Sequence, residues 1–233
     1  MIQLSDVNQW YKQFHVLKDV NLHIKKGEVC VIAGRNGAGK TTFFETILGL
    51  LPGYTGTVKV LGEDITKSRK CMHKISFLPE KFQLYPQLTV FENLEFFTSL
   101  QKGYIYDLEK ALDLTGMSNY RDKKIKELSK GMLQRIGLSL AFLGKPELII
   151  LDEPTSGIDP CGRLEIIEDI HSLNQLGITI IFSSHHLSEI ERVGTHVIKI
   201  ENQTIEKMTA DHYLSDFCLN ARQGPKGKAL FRL

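Results

Sequence analysis

The sequence predicts an α/β protein with a mainly parallel sheet, a small antiparallel β subdomain and a helical insertion. The first observation is a buried-strand pattern at 28–33, followed by a glycine-rich loop and a short helix pattern that ends at a glycine. The second is the alternation of apolar strand-like runs with helix patterns after residue 146, which is typical of a parallel sheet. The third is a series of short strand-like runs separated by turns near the N-terminus, which predicts the antiparallel part.

Length, charge and cysteine content narrow the possible classes of protein. The 233 residues suffice for one large domain, or for one domain with a subdomain. The formal net charge of +2 argues against nucleic acid as an obligatory partner, since such domains usually carry a strong basic bias. The longest apolar stretches fall short of the roughly 20 residues that a membrane-spanning helix needs, and no secretory signal is visible. The four cysteines are widely separated without a C-x-x-C pair, so we expect reduced thiols in a cytosolic protein.

The antiparallel subdomain is predicted from strand-like runs in two places. In the N-terminal part these runs cover 2–4, 7–11 and 16–24, and the turn 25–27 leads into the next strand. A further short β region follows at 56–62. We expect these runs to form a small sheet beside the core.

The stretch Gly34 to Thr42, GRNGAGKTT, is the feature around which the other elements are arranged. It satisfies the pattern G-x-x-x-x-G-K-[ST], with a strand before it and a helix pattern at 42–49 after it. Glycines let backbone N–H groups turn toward an anion, and the helix N-terminus adds roughly half a positive charge. We expect Lys40 to reach the β and γ phosphates of a nucleotide and the Thr41 hydroxyl to coordinate Mg²⁺. The residues expected to hold the nucleotide here are Gly34, Asn36, Gly37, Gly39, Lys40, Thr41 and Thr42.

Residues 81–145 predict a mostly helical insertion, after a strand-like run at 74–78. Thr89 and Glu92 have capping-box spacing at the start of its first helix. A further helix is predicted at 107–115, and Ser129 is well placed as the N-cap of the last helix.

The loop 81–88 is rich in aromatic and apolar side chains. Phe82, Leu84 and Tyr85 are either ordinary core of the helical insertion or part of a surface that docks a membrane subunit. The sequence favours neither.

The core resumes after the insertion with two more buried strands. The run 147–153 ends in Asp152 and Glu153, a helix is predicted at 163–173, and a second apolar run covers 178–182. Two acids after an apolar run resemble the Walker B element of P-loop ATPases, although acids in this place can also simply cap the next helix. The ligand groups of a parallel sheet gather at the carboxyl ends of its strands, where both acids lie.

The predicted domain organisation follows from these elements. A P-loop core with the antiparallel β subdomain comprises 1–80 and 146–210, the helical subdomain comprises 81–145, and 211–233 is a C-terminal tail. From Arg222 this tail is basic and turn-rich, and we expect a solvated or partner-ordered extension more than a defined binding site.

Several ordered motifs within residues 1–210 resemble those of ATP-binding cassette proteins. The run LSKGM at 128–132 followed by Gln134-Arg135 looks like the signature motif, and Ser129 precedes Asp152 by 23 residues, as in that family. The remaining motifs with family counterparts are Gly157-Ile158-Asp159 for the D-loop, His185 for the switch histidine, Tyr11 for the aromatic that stacks on adenine, and Glu80 for the Q-loop.

The resemblance implies a P-loop ATPase core that acts as a motor with ATP and Mg²⁺. In the family two cassettes pack head to tail, so that each ATP lies between Lys40 of one copy and Ser129 with Gly131 of the other. The implied catalytic residues are Glu153, His185 and Lys40, the implied Mg²⁺ ligands are Thr41, Glu80 and Asp152, and Tyr11, Ser129, Gly131 and Asp159 are implied to contact the nucleotide. The implied partners are a second cassette, expected to be identical, and a separate integral membrane permease. The implied location is the inner face of the cell membrane.

Three of these residues have simpler alternatives. His185 could be a helix cap or a surface histidine. Tyr11 could only pack on a sheet, with Trp10 or Phe14 taking its stacking role, and Asp159 could only cap the next helix.

Three residues depart from the family pattern. Glu80 stands where glutamine is usual, which keeps an oxygen ligand but adds a charge beside the triphosphate. Lys130 and Met132 replace the usual glycine and glutamine of the signature, and Lys130 could neutralise phosphate charge across the dimer interface. These variants resemble single-cassette ATPase subunits of drug, bacteriocin-immunity and lipid-type exporters, which favours export.

Two other classes of function stay open. One is a cassette ATPase that acts on ribosomes or nucleic acid, although such proteins carry two cassettes or a long coiled coil, and only 88 residues separate Lys40 from Ser129 here. The other is a nucleotide-dependent regulator without a transport partner. A P-loop GTPase is disfavoured because no N-K-x-D run occurs downstream of the loop.

Overall fold

The computed structural model describes residues 1–100 and 106–223. The β-strands of these residues are β1 (Ile2–Tyr11), β2 (Phe14–Ile24), β3 (Val29–Ala33), β4 (Thr55–Val60), β5 (Glu63–Asp64), β6 (Ile75–Leu78), β7 (Leu148–Leu151), β8 (Thr179–Ser183), β9 (His196–Glu201) and β10 (Thr204–Thr209). The α-helices are α1 (Lys40–Ile47), α2 (Val90–Ser99), α3 (Leu108–Leu114), α4 (Lys130–Leu143), α5 (Pro160–Gln175), α6 (Leu187–Val193) and α7 (Ala210–Gln223). Short 3₁₀ turns lie at Lys70–Lys74, Ser118–Tyr120 and Ile125–Glu127.

The strands form two sheets, and the predicted fold class is confirmed. The smaller sheet has the order β2-β1-β4-β5 with antiparallel pairing. The larger sheet has the order β10-β9-β3-β8-β7-β6, and only its edge strand β10 runs antiparallel to its neighbour. The carboxyl ends of β3, β8 and β7 therefore lie side by side, where ligands of open α/β sheets bind.

Two hydrophobic clusters cover the two faces of the larger sheet. Successive side chains of a strand point to opposite faces, and accordingly Cys30 and Ile32 of β3 join one cluster, whereas Val31 joins the other. The first cluster also contains the fully buried Phe43 and Phe44 of α1 and the inner face of the antiparallel sheet. The second is covered by α5 and α6. The loop between β3 and α1 is thus held by packing on both sides of the sheet.

The insertion after β6 has a hydrophobic cluster of its own, drawn from α2, α3 and α4. The capping box predicted for α2 is present, because the Thr89 hydroxyl accepts from Glu92 N while the Glu92 carboxylate accepts from Thr89 N. Asp107 caps α3 and Ser129 caps α4.

Two helices begin earlier than the sequence predicts. Helix α1 starts at Lys40, not at Thr42, since Gly39 in a left-handed conformation allows an immediate turn into the helix. Helix α5 starts at Pro160, not at Arg163, because Asp159 is its N-cap and a proline fits the first helical position.

The segment expected to be a tail begins as a helix. Helix α7 continues directly from the edge strand β10, and Tyr213 and Leu214 pack against the second hydrophobic cluster. Residues 224–233, which contain most of the basic, turn-rich stretch, lie outside the described residues. Within the described ranges, no helix has the length and apolarity required to cross a membrane.

Candidate functional site

A cleft of about 910 Å³ opens at the carboxyl edge of the larger sheet. Its lining contains all the residues predicted for the glycine loop, together with both acids after β7, Glu80 and His185. Arg35 and Ser156 complete the wall next to them. Residues from four separate stretches of the sequence therefore meet at one opening.

The glycine loop presents its backbone to this cleft. Gly37 and Gly39 have φ angles of 80° and 104°, which side-chain-bearing residues rarely adopt. Helix α1 begins directly afterwards, and Gly39 as its N-cap supplies no side-chain hydrogen bond to the first turn. The amide groups of that turn therefore have no side-chain cap competing for them, and an anion can bind there with the helix dipole in its favour.

Lys40 lies at the floor of the cleft with its side chain 8% exposed. Its ammonium donates to the Gly34 carbonyl at 3.0 Å and lies 3.2 Å from Glu153 Oε1. The lysine thus bridges the glycine loop and the acid that follows β7.

Asp152 is buried, and each of its carboxylate oxygens has a hydrogen-bond donor. Thr41 Oγ1 donates to Oδ2 at 2.8 Å, and Ser183 Oγ donates to Oδ1 at 2.7 Å. Mg²⁺ prefers oxygen ligands, and a hydroxyl oxygen next to a carboxylate oxygen supplies two of them. The pair formed by Thr41 and Asp152 therefore fits a magnesium ion, and Glu80 lines the same cleft.

Glu153 has a strained backbone, and its amide and carboxylate make three polar contacts. Its φ of 48° is unusual for a residue other than glycine, and its N–H donates to Ser183 Oγ at 2.6 Å. Its carboxylate contacts Lys40 on one oxygen and lies 3.4 Å from His185 Nδ1 on the other. Glu153 is therefore placed between a cation and an imidazole at the cleft wall.

His185 and His186 follow β8 as a pair whose ring centroids are 4.0 Å apart. The His185 side chain is 56% exposed and lines the cleft, so the alternative of a helix cap does not apply, since the N-cap of α6 is His186. Burial lowers the pKa of His186, whose ring contacts the Arg163 guanidinium at 2.9 Å. The exposed histidine of the pair is the one next to Glu153.

The signature and D-loop residues lie outside the lining of this cleft. Ser129 is exposed, and its hydroxyl accepts from Met132 N at 3.3 Å as the cap of α4. Asp159 caps α5 by accepting from the amides of Cys161 and Gly162, each at 3.1 Å, so it does have the capping role that was the simpler alternative. Gly131 is half-buried, and a Cβ there would lie 3.5 Å from Ile158.

Lys130 has a partner that its sequence position did not suggest. Its ammonium donates to the Ser156 carbonyl in the segment between Glu153 and Asp159 of the same chain. Lys130 therefore links the start of α4 to the residue that precedes the D-loop.

The predicted aromatic platform is not part of the cleft lining. Tyr11 ends β1 with 49% of its surface exposed, beside the ammonium of Lys12, and Phe14 is 75% exposed. Trp10 stacks on His15 with ring centroids 4.5 Å apart. Which of the three aromatic residues stacks on a base stays a prediction.

Three residues of the site were not predicted. Arg35 lies within the glycine loop at a position that the motif leaves free, and Ser156 follows the acids by three residues. Ser183 connects to Asp152 and Glu153 only because β8 pairs with β7 in the sheet. A polar residue at the end of an apolar strand run was the available signal for Ser183.

Two curated relatives are named as ATP-binding proteins, one for linearmycin resistance and one for bacitracin transport. The linearmycin resistance ATP-binding protein LnrL of Bacillus subtilis is 37% identical over 201 residues, which are 82% of this chain and 63% of that protein. The bacitracin transport ATP-binding protein BcrA of Bacillus licheniformis is 36% identical over 219 residues, which are 91% of this chain and 71% of that protein. The chain thus spans about two thirds of the length of these relatives.

Solved structures show the same fold. The cbiO1 protein of Clostridium perfringens, part of the ABC transporter complex cbiONQ, has a TM-score of 0.84 at 27% identity, with 97% of each chain covered. The ATP-binding cassette MJ0796, solved as a dimer in a post-hydrolysis state with ADP and Pi, has a TM-score of 0.76 at 26% identity, covering 90% of this chain and 99% of that one. The profile of the ABC transporter family matches residues 17–156, a stretch that includes the glycine loop, the signature and both acids. This chain therefore belongs to the ABC transporter family.

Proposed function

We propose that this chain binds and hydrolyses ATP as the motor subunit of an ABC transporter and drives a separate membrane permease. The observation that carries this proposal is the convergence of Lys40, Thr41, Asp152 and Glu153 in one cleft below a phosphate-binding loop. Their contacts join two segments that are 111 residues apart in sequence.

Each residue has a distinct part in the proposed reaction. The amides of the glycine loop and Lys40 bind the phosphates, and Thr41 with Asp152 would hold Mg²⁺, which supplies charge neutralisation at the phosphates when it is bound. Glu153 accepts a proton from the attacking water or orients it, because its carboxylate faces the cleft. His185 contacts Glu153 and is exposed enough to donate to the γ-phosphate.

A second copy is proposed to complete the site. Ser129 and Gly131 lie outside the cleft of their own chain, and Ser129 is exposed at the N-terminus of the 14-residue helix α4. A helix N-terminus favours anions, so head-to-tail packing would place this end on the γ-phosphate of the partner. The dimeric MJ0796 structure supports such an assembly.

The permease is proposed to dock in a groove of about 750 Å³ beside the cleft. The groove lies between β6 and the helical insertion, and its lining includes Phe82, Phe97 and the 65% exposed Leu100. Tyr85 and Phe96 pack edge to face next to it and are also exposed. A permease bound there would hold the chain on the inner face of the cell membrane, in keeping with the docking role considered for the loop 81–88.

The proposed direction of transport is export, with a drug, a bacteriocin or a lipid-type compound as the substrate. The two curated relatives are named for linearmycin resistance and bacitracin transport. A role on ribosomes or nucleic acid is not favoured, because these relatives are named as transport or resistance proteins and the net charge is only +2.

Turnover, dimerisation and copurification test the proposal together. Purified wild-type protein should hydrolyse ATP, whereas Glu153→Gln should hydrolyse at background rates and form a dimer with ATP, because substrate binds but is not consumed. A membrane protein should copurify from detergent extracts of the native cell. A Glu153→Gln sample that stays monomeric at saturating ATP, or that turns over at the wild-type rate, contradicts the assigned roles.

A further inference from the structure

We infer that Ser183 is a positioning residue for ATP hydrolysis, because its hydroxyl fixes both the carboxylate of Asp152 and the backbone of Glu153. The inference rests on the proposed function and extends it to a residue outside the family motifs quoted above. Ser183 is the last residue of β8 and is fully buried.

The hydroxyl of Ser183 both donates and accepts a hydrogen bond. It donates to Asp152 Oδ1 at 2.7 Å and accepts from Glu153 N at 2.6 Å. Both contacts are short, and the first involves an ionisable carboxylate that is itself buried, which makes it a strong hydrogen bond. One side-chain atom therefore connects two successive residues of the neighbouring strand end.

The contact to Asp152 restricts how that carboxylate can turn. Thr41 holds Oδ2 from the side of the glycine loop, and Ser183 holds Oδ1 from the side of β8. Because both oxygens are held, Asp152 Oδ2, which contacts Thr41, stays directed toward the proposed metal position. Without the serine, Thr41 is the one remaining hydrogen-bond donor to this carboxylate among the described residues.

The contact to Glu153 stabilises a strained backbone. A φ of 48° in a residue with a Cβ carries an energetic cost and persists only where surrounding contacts determine it. The hydrogen bond from Glu153 N to Ser183 is such a contact. It sets the direction in which the Glu153 side chain leaves the strand toward Lys40 and His185.

Thr179 provides a matched control at the other end of the same strand. It is also fully buried, and its hydroxyl likewise accepts from a backbone amide, that of Gly27, at 2.9 Å. Its partner Gly27 lies outside the cleft lining, whereas both partners of Ser183, Asp152 and Glu153, belong to that lining. Removing the Thr179 hydroxyl takes one acceptor from a backbone amide, as at Ser183, but Ser183→Ala also removes the donor to Asp152 and should lower stability at least as much. Of the two changes, only that at Ser183 should disturb catalysis.

The experiment compares Ser183→Ala, Ser183→Thr, Thr179→Val and Glu153→Gln in the full chain. For Ser183→Ala we expect kcat for ATP to fall at least tenfold relative to Thr179→Val, with KM for ATP within threefold of wild type. The Mg²⁺ concentration for half-maximal rate should rise severalfold, and Ser183→Thr should recover most of kcat because it keeps the hydroxyl. Two readouts do not depend on turnover, namely the midpoint of thermal unfolding without nucleotide and binding of a fluorescent ATP analogue in EDTA. Ser183→Ala should unfold at a midpoint no higher than that of Thr179→Val while staying folded at the assay temperature, and the two variants should bind the analogue equally.

The outcomes separate this inference from the proposed function. If Glu153→Gln is inactive but Ser183→Ala turns over within threefold of Thr179→Val, the positioning role is wrong and the proposed function stands. A folded Ser183→Thr that is no more active than Ser183→Ala also overturns the positioning role. If Glu153→Gln keeps the wild-type rate, the proposed function itself fails.

Discussion

Asp169 should make the folded protein less stable as the pH rises from 5 to 7.5. This carboxyl lies on α5 and is buried, with Arg135 Nε of α4 at 2.9 Å. Burial raises its pKa to about 6 from the ordinary 3.8, against the opposing effect of Arg135, and the carboxylates of Glu165 and Glu168 add to the increase. The desolvation of a buried ion pair can cost more than its Coulombic attraction gains. For Asp169 the effect of burial on the pKa is larger than the effect of Arg135.

The magnitude follows from the shift between the folded and unfolded states. A carboxyl whose folded pKa is raised stabilises the fold below its unfolded pKa, and this stability is lost as the pH rises through the folded value. A shift from 3.8 to about 6 corresponds to about 3 kcal/mol in total at 1.36 kcal/mol per pKa unit. Part of the loss occurs below pH 5, and the linkage relation leaves about 1 kcal/mol for the interval from pH 5 to 7.5.

Urea unfolding of wild type and Asp169→Asn at these two pH values measures the effect. The stability of wild type relative to the variant should fall by about 1 kcal/mol between pH 5 and 7.5, because asparagine does not titrate. Glu165→Gln is the control, since that carboxylate also contacts Arg135 but is 58% exposed; this variant keeps Asp169, so its stability relative to wild type should change little between the two pH values. A difference that stays constant, or that grows in favour of wild type with pH, would refute the reasoning and show that Arg135 dominates.

Three further predictions concern the site, the helical insertion and the groove. Lys40→Met should reduce ATPase activity to background and weaken nucleotide binding, measured with a fluorescent analogue; binding at wild-type affinity would contradict the role of the lysine. Thr89→Ala removes the hydroxyl of the capping box and should lower the free energy of unfolding by about 1 kcal/mol in urea, whereas an unchanged midpoint and slope would show that the cap contributes nothing. Phe82→Asp places a charge in the apolar groove and should abolish copurification with the permease while the ATPase activity of the isolated protein stays within twofold of wild type; retained copurification would exclude this groove as the docking site.

The parts of the fold predicted from sequence are those with strong local signals. The glycine loop, the capping box at Thr89 and the N-cap Ser129 each depend on side chains a few residues apart, and each lies where the sequence indicates. Strands β9 and β10 and helix α7 were not predicted. The helix follows β10 directly and packs through Tyr213 and Leu214, contacts that only the tertiary structure supplies.

The topology of the parallel sheet made it possible to predict that the residues of the cleft lie together. Ligand groups at the ends of parallel strands converge wherever the strands are neighbours, so Lys40, Asp152 and His185 could be assigned to one site without coordinates. The contact between Arg135 and Asp169 was not predicted, since it depends on how α4 crosses α5. The partner of Lys130 was missed for the same reason, as the D-loop approaches the start of α4 only in the folded chain.

The end of β8 shows how a short sequence can carry two positioning functions. Adjacent residues of a strand point to opposite sides, and accordingly Ser183 contacts the residues after β7, whereas Ser184 donates to Glu189 and accepts from the amide of His186. The first serine thus orders the acids, and the second orders the turn that presents His185. Both are buried, at 0% and 2% exposure, in a strand end that is otherwise apolar. The two serine hydroxyls supply hydrogen bonds to polar groups on both faces of the sheet. Apolar residues at these two positions would leave those groups without these partners.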